Sequence, residues 1–209
     1  VTRIEVDADG LIDPNEVAAA VTPRTAVVSI MHANNETGVL FPVEDISALI
    51  KERSDALVHV DGVNAAGKVP IDLKTTGIDV YTVSGHKFHA PKGIGAVYIR
   101  GGIGLAPWFA GGGQEHGRRA GTEAVHQIVG LGAAADLAGD VSAMAPVRSL
   151  RDRLENDILN SIPNSRLNGM SDPAKRLPNT SNISFENTNG EAILARLDGV
   201  PTLVFDEVD

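Results

Sequence analysis

The sequence predicts an α/β domain with covered parallel strands, followed by the beginning of a smaller α+β unit. Short β-branched apolar runs alternate with stretches of helical period, each early run stops on a polar residue, and the composition is that of an ordinary globular chain. Of the 209 residues, 43% are apolar, enough to bury a substantial core.

Ala26-Val27-Val28-Ser29-Ile30-Met31 has the pattern of a strand buried on both faces and runs into His32-Ala33-Asn34-Asn35-Glu36. Pro42 suits a first helical position, and Val43, Ile46, Leu49, Ile50 and Arg53 follow at helical spacing before the polar Ser54-Asp55. Leu57-Val58-His59-Val60 predicts a second strand ending on Asp61, Val80-Tyr81-Thr82-Val83 a third ending on Ser84, and Gly95-Ala96-Val97-Tyr98-Ile99 a fourth. This is the element order of an α/β domain. Residues 122–140, rich in alanine and glycine, predict a helix. Val147, Leu150, Leu154, Ile158 and Ile162 mark the apolar stripe of another, read as a packing surface and stopped by Pro163. After a polar stretch, Asn182-Ile183-Ser184-Phe185, a helix over residues 191–197 and Thr202-Leu203-Val204-Phe205 open the smaller unit. The expected division is 1–144 for part of a large domain and 145–209 for a linker helix and the start of a small one, with 200–209 as an atypical tail.

Charge and composition exclude several functions. Lysine and arginine number 18 against 27 acidic residues, a net charge of −9, and the basic residues are scattered, which argues against a surface that tracks nucleic acid. There is no cysteine, hence no disulfide, thiolate metal site or sulfur nucleophile in these residues. No run approaches the roughly 20 apolar residues of a membrane span, and the start has no signal-peptide pattern, so a soluble, cytoplasmic chain is the expectation. The histidines are scattered. His86 and His89 lie three apart, but with no cysteine nearby they read as cofactor contact or packing, and no metal is expected.

In open α/β sheets ligands bind outside the carboxyl ends of the strands, and here the polar residues collect there. The residue types suit pyridoxal 5'-phosphate, which needs a lysine for covalent attachment, a carboxylate for its ring nitrogen and donors for its phosphate and phenolic oxygen. Lys87 follows a strand among Gly85, Pro91, Gly93 and Gly95, a setting for close backbone approach. Asp61 ends a neighbouring strand. Ser84 and His86 are candidate phosphate donors and Asn35 a candidate donor to the phenolic oxygen.

Taken together, Asn34-Asn35-Glu36-Thr37-Gly38, His59-Val60-Asp61, Ser84-Gly85-His86-Lys87-Phe88-His89-Ala90-Pro91-Lys92-Gly93, Gly111-Gly112-Gly113-Gln114-Glu115 and Arg119-Ala120-Gly121-Thr122 resemble the cysteine desulfurases, the NifS-like branch of the class-V aminotransferases. The resemblance runs from about Thr2 to Leu197. It implies part of the aspartate-aminotransferase-like large domain of the fold type I transferases. It also implies Lys87 as the Schiff-base lysine, Asp61 as the ring-nitrogen partner, Asn35 at the phenolic oxygen, and Ser84 and His86 at the phosphate. Asn64 takes the position where that family commonly has a glutamine at the phenolic oxygen, with a shorter reach. Thr122 would reach the phosphate held by a second subunit, which implies a homodimer. The implied reaction converts L-cysteine to L-alanine and leaves sulfur as a cysteine persulfide for an acceptor protein, as in iron–sulfur cluster assembly.

The chain departs from that pattern in lacking counterparts of the family's glycine-rich phosphate loop, its ring-stacking residue, the sulfur-accepting cysteine and a downstream substrate-binding arginine. Beyond Leu197, Val200-Pro201-Thr202-Leu203-Val204-Phe205-Asp206-Glu207-Val208-Asp209 does not continue toward a cysteine loop. An apolar strand ending in Asp-Glu resembles the Mg²⁺-holding segment of ATP-binding-cassette DNA-repair ATPases, but no Gly-x-x-x-x-Gly-Lys-[Ser/Thr] loop accompanies it. Plainer readings stand beside the functional ones: Lys87 as a surface lysine, Asp61 or Thr122 as helix caps, Asn34 and Asn35 as turn formers, and Gly111–Gly113 as a flexible loop. A selenocysteine lyase or a non-catalytic interaction module are the alternatives for the chain as a whole.

Overall fold

Each apolar run stops where its sequence turns polar, and the computed structural model, which describes residues 1–197, places strands at those runs. The first element is α1 (Pro14–Ala20), which the apolar periodicity does not announce. Its start is set by Asp13, whose carboxylate accepts from the Asn15 amide at 2.8 Å, and by Pro14 in the first turn. β1 (Val27–Met31) leads to α2 (Val43–Lys51), capped at Pro42. β2 (Leu57–Asp61), β3 (Val80–Ser84) and β4 (Gly95–Ile99) complete a sheet of order β1-β2-β3-β4.

β1, β2 and β3 are parallel, with Ser29 opposite His59, Met31 opposite Asp61 and Asp61 opposite Thr82. β4 runs antiparallel to β3, a departure from the all-parallel expectation. The link from Ser84 to Gly95 is too short for a crossover, which takes about a dozen residues or more, so the chain turns back on itself. The strands are also not sealed on both faces. Val58 and Val60 are wholly buried against Val43, Ile46 and Ile50 of α2, while Leu57, His59 and Asp61 on the opposite face are only half-buried, and Val27 of β1 is exposed. Buried Asp79 pins the start of β3: its carboxylate accepts from the Val58 amide at 2.8 Å and pairs with Lys51 at 2.5 Å.

After β4 come the irregular turn α3 (Gln114–Gly117), α4 (Val125–Ala138) and α5 (Met144–Ser161), then a two-stranded antiparallel sheet of β5 (Ser165–Leu167) and β6 (Ile183–Phe185), and α6 (Gly190–Leu194). On α5 the apolar stripe is not the packing surface expected of it. Leu150 and Leu154 are exposed, and the helix instead buries Arg151 and Glu155. Glu155 accepts both terminal nitrogens of fully buried Arg176, at 2.8 and 2.6 Å, and Arg151 donates to the Leu177 carbonyl. Residues 175–177 in turn bond the loop after β1: Leu40 donates to the Lys175 carbonyl and Leu177 to the Gly38 carbonyl. Leu177 also joins Ala33, Ala65 and Val69 in a small core. The predicted run Thr202–Phe205 and the rest of the tail lie outside the described residues.

Candidate active site

The carboxyl ends of β2 and β3 are adjacent, and this alone brings the candidate chemistry to one sheet edge. Asp61 is the last residue of β2, paired in register with Thr82; Ser84 is two residues further along β3, and Lys87 lies on the single 3-10 turn Gly85–Phe88 that follows. That turn is tight by construction. A Cβ on Gly85 would meet the Ala90 Cβ at 2.9 Å and the Ile94 carbonyl at 3.0 Å, and His89 closes it in the left-handed region at φ 71°.

Asp61 is half-buried, and its Oδ1 accepts from the Val63 amide at 2.9 Å. One carboxylate oxygen is therefore taken up by the backbone of the turn after β2. The other has no hydrogen-bond partner among the described residues, and neither Asp61 nor Lys87 forms an ion pair there. Ser84 Oγ lies 2.9 Å from His86 Nδ1, so these two polar groups lie together beside the lysine. Asn64 sits in the turn after β2, its carbonyl accepting from Lys68 Nζ at 2.7 Å. Asn35 is exposed at the end of β1 and donates to Glu36 at 2.5 Å, while Asn34 is a turn former whose Oδ1 accepts from the Glu36 and Thr37 amides. Thr122 stands exposed ahead of α4, makes no hydrogen bond with the other candidates, and does not cap that helix, whose cap position is Ala124. Among the described residues no three His, Asp or Glu side chains converge to hold a metal.

Two features beside this edge are invisible in the one-dimensional pattern. On the face that carries Asp61, His59 spans three strands, with Nδ1 2.8 Å from Ser29 Oγ on β1 and Nε2 3.2 Å from Thr82 Oγ1 on β3. On the opposite face, buried His32 Nδ1 lies 2.9 Å from the Tyr81 hydroxyl, and the Tyr81 ring covers Gly62 so closely that no Cβ fits there. Burial, helped by the charges of Glu44 and Asp61, pushes the Tyr81 phenol well above its ordinary range; burial also lowers His32, against the pull of Glu44. Both groups are thus held neutral beneath the Asp61-Gly62 turn. A primary amine free of ion pairs and a carboxylate with one oxygen free among the described residues, at neighbouring strand ends with a hydroxyl and an imidazole beside the amine, form a donor set that fits pyridoxal phosphate.

Comparison with known proteins agrees with this geometry. The model of the aminotransferase class-V family matches residues 1–200. Cysteine desulfurase 2 of Trichormus variabilis is 53% identical over 198 residues, covering 94% of this chain and 49% of that protein, and a cysteine desulfurase of Cereibacter sphaeroides is 52% identical over 95% of this chain and 50% of its own length. The chain thus spans about half the length of the curated relatives it matches. Among solved structures, a NifS-like protein superimposes with a TM-score of 0.89 at 38% identity, over 95% of this chain and 54% of its own, and DndA from Streptomyces lividans with 0.82 at 36%, over 92% and 55%. The architecture is accordingly part of the fold type I large domain. By sequence and by fold, the chain belongs to the class-V aminotransferase family.

Proposed function

We propose that this chain is the lysine-bearing half of a pyridoxal-phosphate-dependent cysteine desulfurase, converting L-cysteine to L-alanine with transfer of sulfur. The observation that carries the reading is the pair Lys87 and Asp61 at the ends of adjacent parallel strands, neither in an ion pair among the described residues. Bound pyridoxal phosphate supplies an electron sink that eases loss of the substrate α-proton. Lys87 holds the cofactor covalently through its amine. Asp61, aimed by the Val63 amide, keeps a proton on the ring nitrogen. His59 fixes the register of the strands on either side of it. Ser84 and His86 bind phosphate oxygens, and Asn64 and Asn35 serve the phenolic oxygen, Asn35 by exchanging its bond to Glu36.

The finer assignments follow from the same reading. Thr122 serves the phosphate of a second subunit in a homodimer, supported by the exposed apolar residues Trp108, Phe109, Val125 and Val129 in the segments that flank it along the chain. Sulfur handling takes a thiol from outside these 209 residues, which contain no cysteine, and passes to an acceptor protein as in iron–sulfur cluster assembly. The setting is the cytoplasm. Titrating the chain with pyridoxal phosphate tests the reading. The wild-type chain is expected to develop the visible-edge absorbance of lysine-bound cofactor, L-cysteine to shift that band, and Asp61→Ala to weaken retention roughly tenfold or more. A chain that develops no such band, or an Asp61→Ala variant that retains cofactor equally well, contradicts it.

A further inference from the structure

Asn35 stands at the tip of a hairpin whose two ends are held by different parts of the chain. The hairpin runs from His32 to Phe41, between β1 and α2: Phe41 donates to the His32 carbonyl at 2.9 Å, Asn34 to the Val39 carbonyl at 2.9 Å and Gly38 to the Asn34 carbonyl at 3.0 Å. Its base is tied to the site, since the His32 amide donates to the Asp61 carbonyl at 2.8 Å. Its tip is tied to the small sheet. Asn182, just ahead of β6, donates from Nδ2 to the Glu36 carbonyl at 3.3 Å, and its Oδ1 accepts from Asn168 Nδ2 at 2.8 Å.

The small unit follows the hairpin closely. Leu177 donates to the Gly38 carbonyl at 2.7 Å and Leu40 to the Lys175 carbonyl at 2.9 Å. Gly38 is buried at φ +75°, and a Cβ there would meet the Thr180 Cβ at 2.8 Å, so glycine is what lets residues 175–182 lie against the tip. Asn182 is half-buried with both ends of its amide engaged, which fixes its orientation: oxygen toward Asn168, N–H toward Glu36. Asn35, in contrast, is exposed, and among the described residues its side chain bonds the Glu36 carboxylate alone, at 2.5 Å. The residue that holds Asn35 is thus itself held from the small unit.

We propose that Asn182 is a positioning residue for Asn35: anchored on Asn168, it pins the Glu36 carbonyl and so fixes, from the small unit, the tip that presents the Asn35 amide to the cofactor's phenolic oxygen. This role rests on the reading of Asn35 as the phenolic-oxygen donor. An amide on an unpinned tip loses conformational freedom each time it binds, and a pinned tip removes part of that cost. A donor lost or misplaced leaves more negative charge on the phenolic oxygen. That charge holds more tightly the proton on the nitrogen that joins Lys87 to the cofactor, so the pH at which the proton leaves rises.

The chain is loaded with pyridoxal phosphate and the visible-edge band followed from about pH 6 to about pH 10. Asn35→Ala is expected to raise the midpoint of the band by roughly one pH unit and Asn182→Ala by roughly half a unit, with the double variant no higher than Asn35→Ala alone. The charged and titratable groups around the hairpin and the lysine, Glu36, Asp61, Lys68 and His86, are the same in all of these variants, so the difference reads the donor. An Asn182→Ala midpoint equal to that of the wild type, or a double variant in which the two shifts add, overturns the proposal. A second arm needs no cofactor: hydrogen exchange of the Glu36, Thr37 and Gly38 amides is expected to quicken roughly threefold or more in Asn182→Ala, while α2 keeps the wild-type rate. Unchanged exchange at the tip, or equal quickening in α2, overturns the pinning. No band in the wild-type chain, or no shift in Asn35→Ala, counts against the proposed function, and the exchange arm still decides whether Asn182 pins the tip.

Discussion

The strands that carry Asp61 and Lys87 and the helices that follow them are built on opposite terms. Between β2 and α2 the apolar residues close on each other: Val43, Ile46, Ile50, Val58 and Val60 have no exposure at all. On α4 only Ala134 is buried, and Leu137 is 82% exposed; Trp108, in the loop before it, is 90% exposed. The sheet half closes its own core and the turn that carries Lys87 packs through Phe88 on Ala134 of α4, whereas the outer side of α4 and the Leu150–Leu154 side of α5 present apolar surface of the kind that another polypeptide covers. The functional contrast follows the structural one. Asp61, Asn64, Ser84 and Lys87 sit on the closed half, and Thr122 on the open one.

The largest effect is expected where the two halves are tied. Arg176→Ala leaves the Glu155 carboxylate buried without its partner and should cost about 3–5 kcal/mol in denaturant unfolding. The same tie has an acid limb. Burial raises Glu155, but the hydrogen bonds and charges of Arg176, Ser181 and Arg151 outweigh it and hold the carboxyl below its ordinary value. Its contribution is therefore present above the unfolded-state value and lost as pH falls through the lower folded one. Unfolding midpoints measured down into the acid range should drop for wild type and stay flatter for Glu155→Gln. An intermediate effect belongs to the closed half: Ile46→Val should cost about 1 kcal/mol, since it removes one methylene from a sealed core. The smallest belongs to the open half. Leu137→Ser should lie within about 0.5 kcal/mol of wild type in the isolated chain, and a cost near that of Ile46→Val would show α4 to be covered after all.

This contrast also separates what the sequence makes legible from what it does not. β1 to β4 are readable because each is a short β-branched run cut off by polar residues, and Lys87 and Asp61 stand out because they follow such cuts. Periodicity does not say which side of a helix will be covered. On α5 the Leu150 and Leu154 stripe lies one residue away from the Arg151 and Glu155 pair, and the partner Arg176, far along the chain, selects the charged side. α1 is missed because its signal is a cap, Asp13-Pro14, and not an apolar stripe. The antiparallel β4 follows from a link length whose meaning emerges only once β3 is placed. At the site, the His59 ladder and the approach of Gly67 to Phe88 depend on which strands and turns touch, information held by register and not by spacing.

The central claim is that the cofactor attaches at Lys87. Mixing the 209-residue chain with pyridoxal phosphate, reducing with borohydride and mapping the labelled peptide tests it most directly. The account predicts one major pyridoxyl site, at Lys87, reduced when Asp61 is replaced by alanine; label spread over surface lysines, or concentrated on a residue other than Lys87, would contradict it.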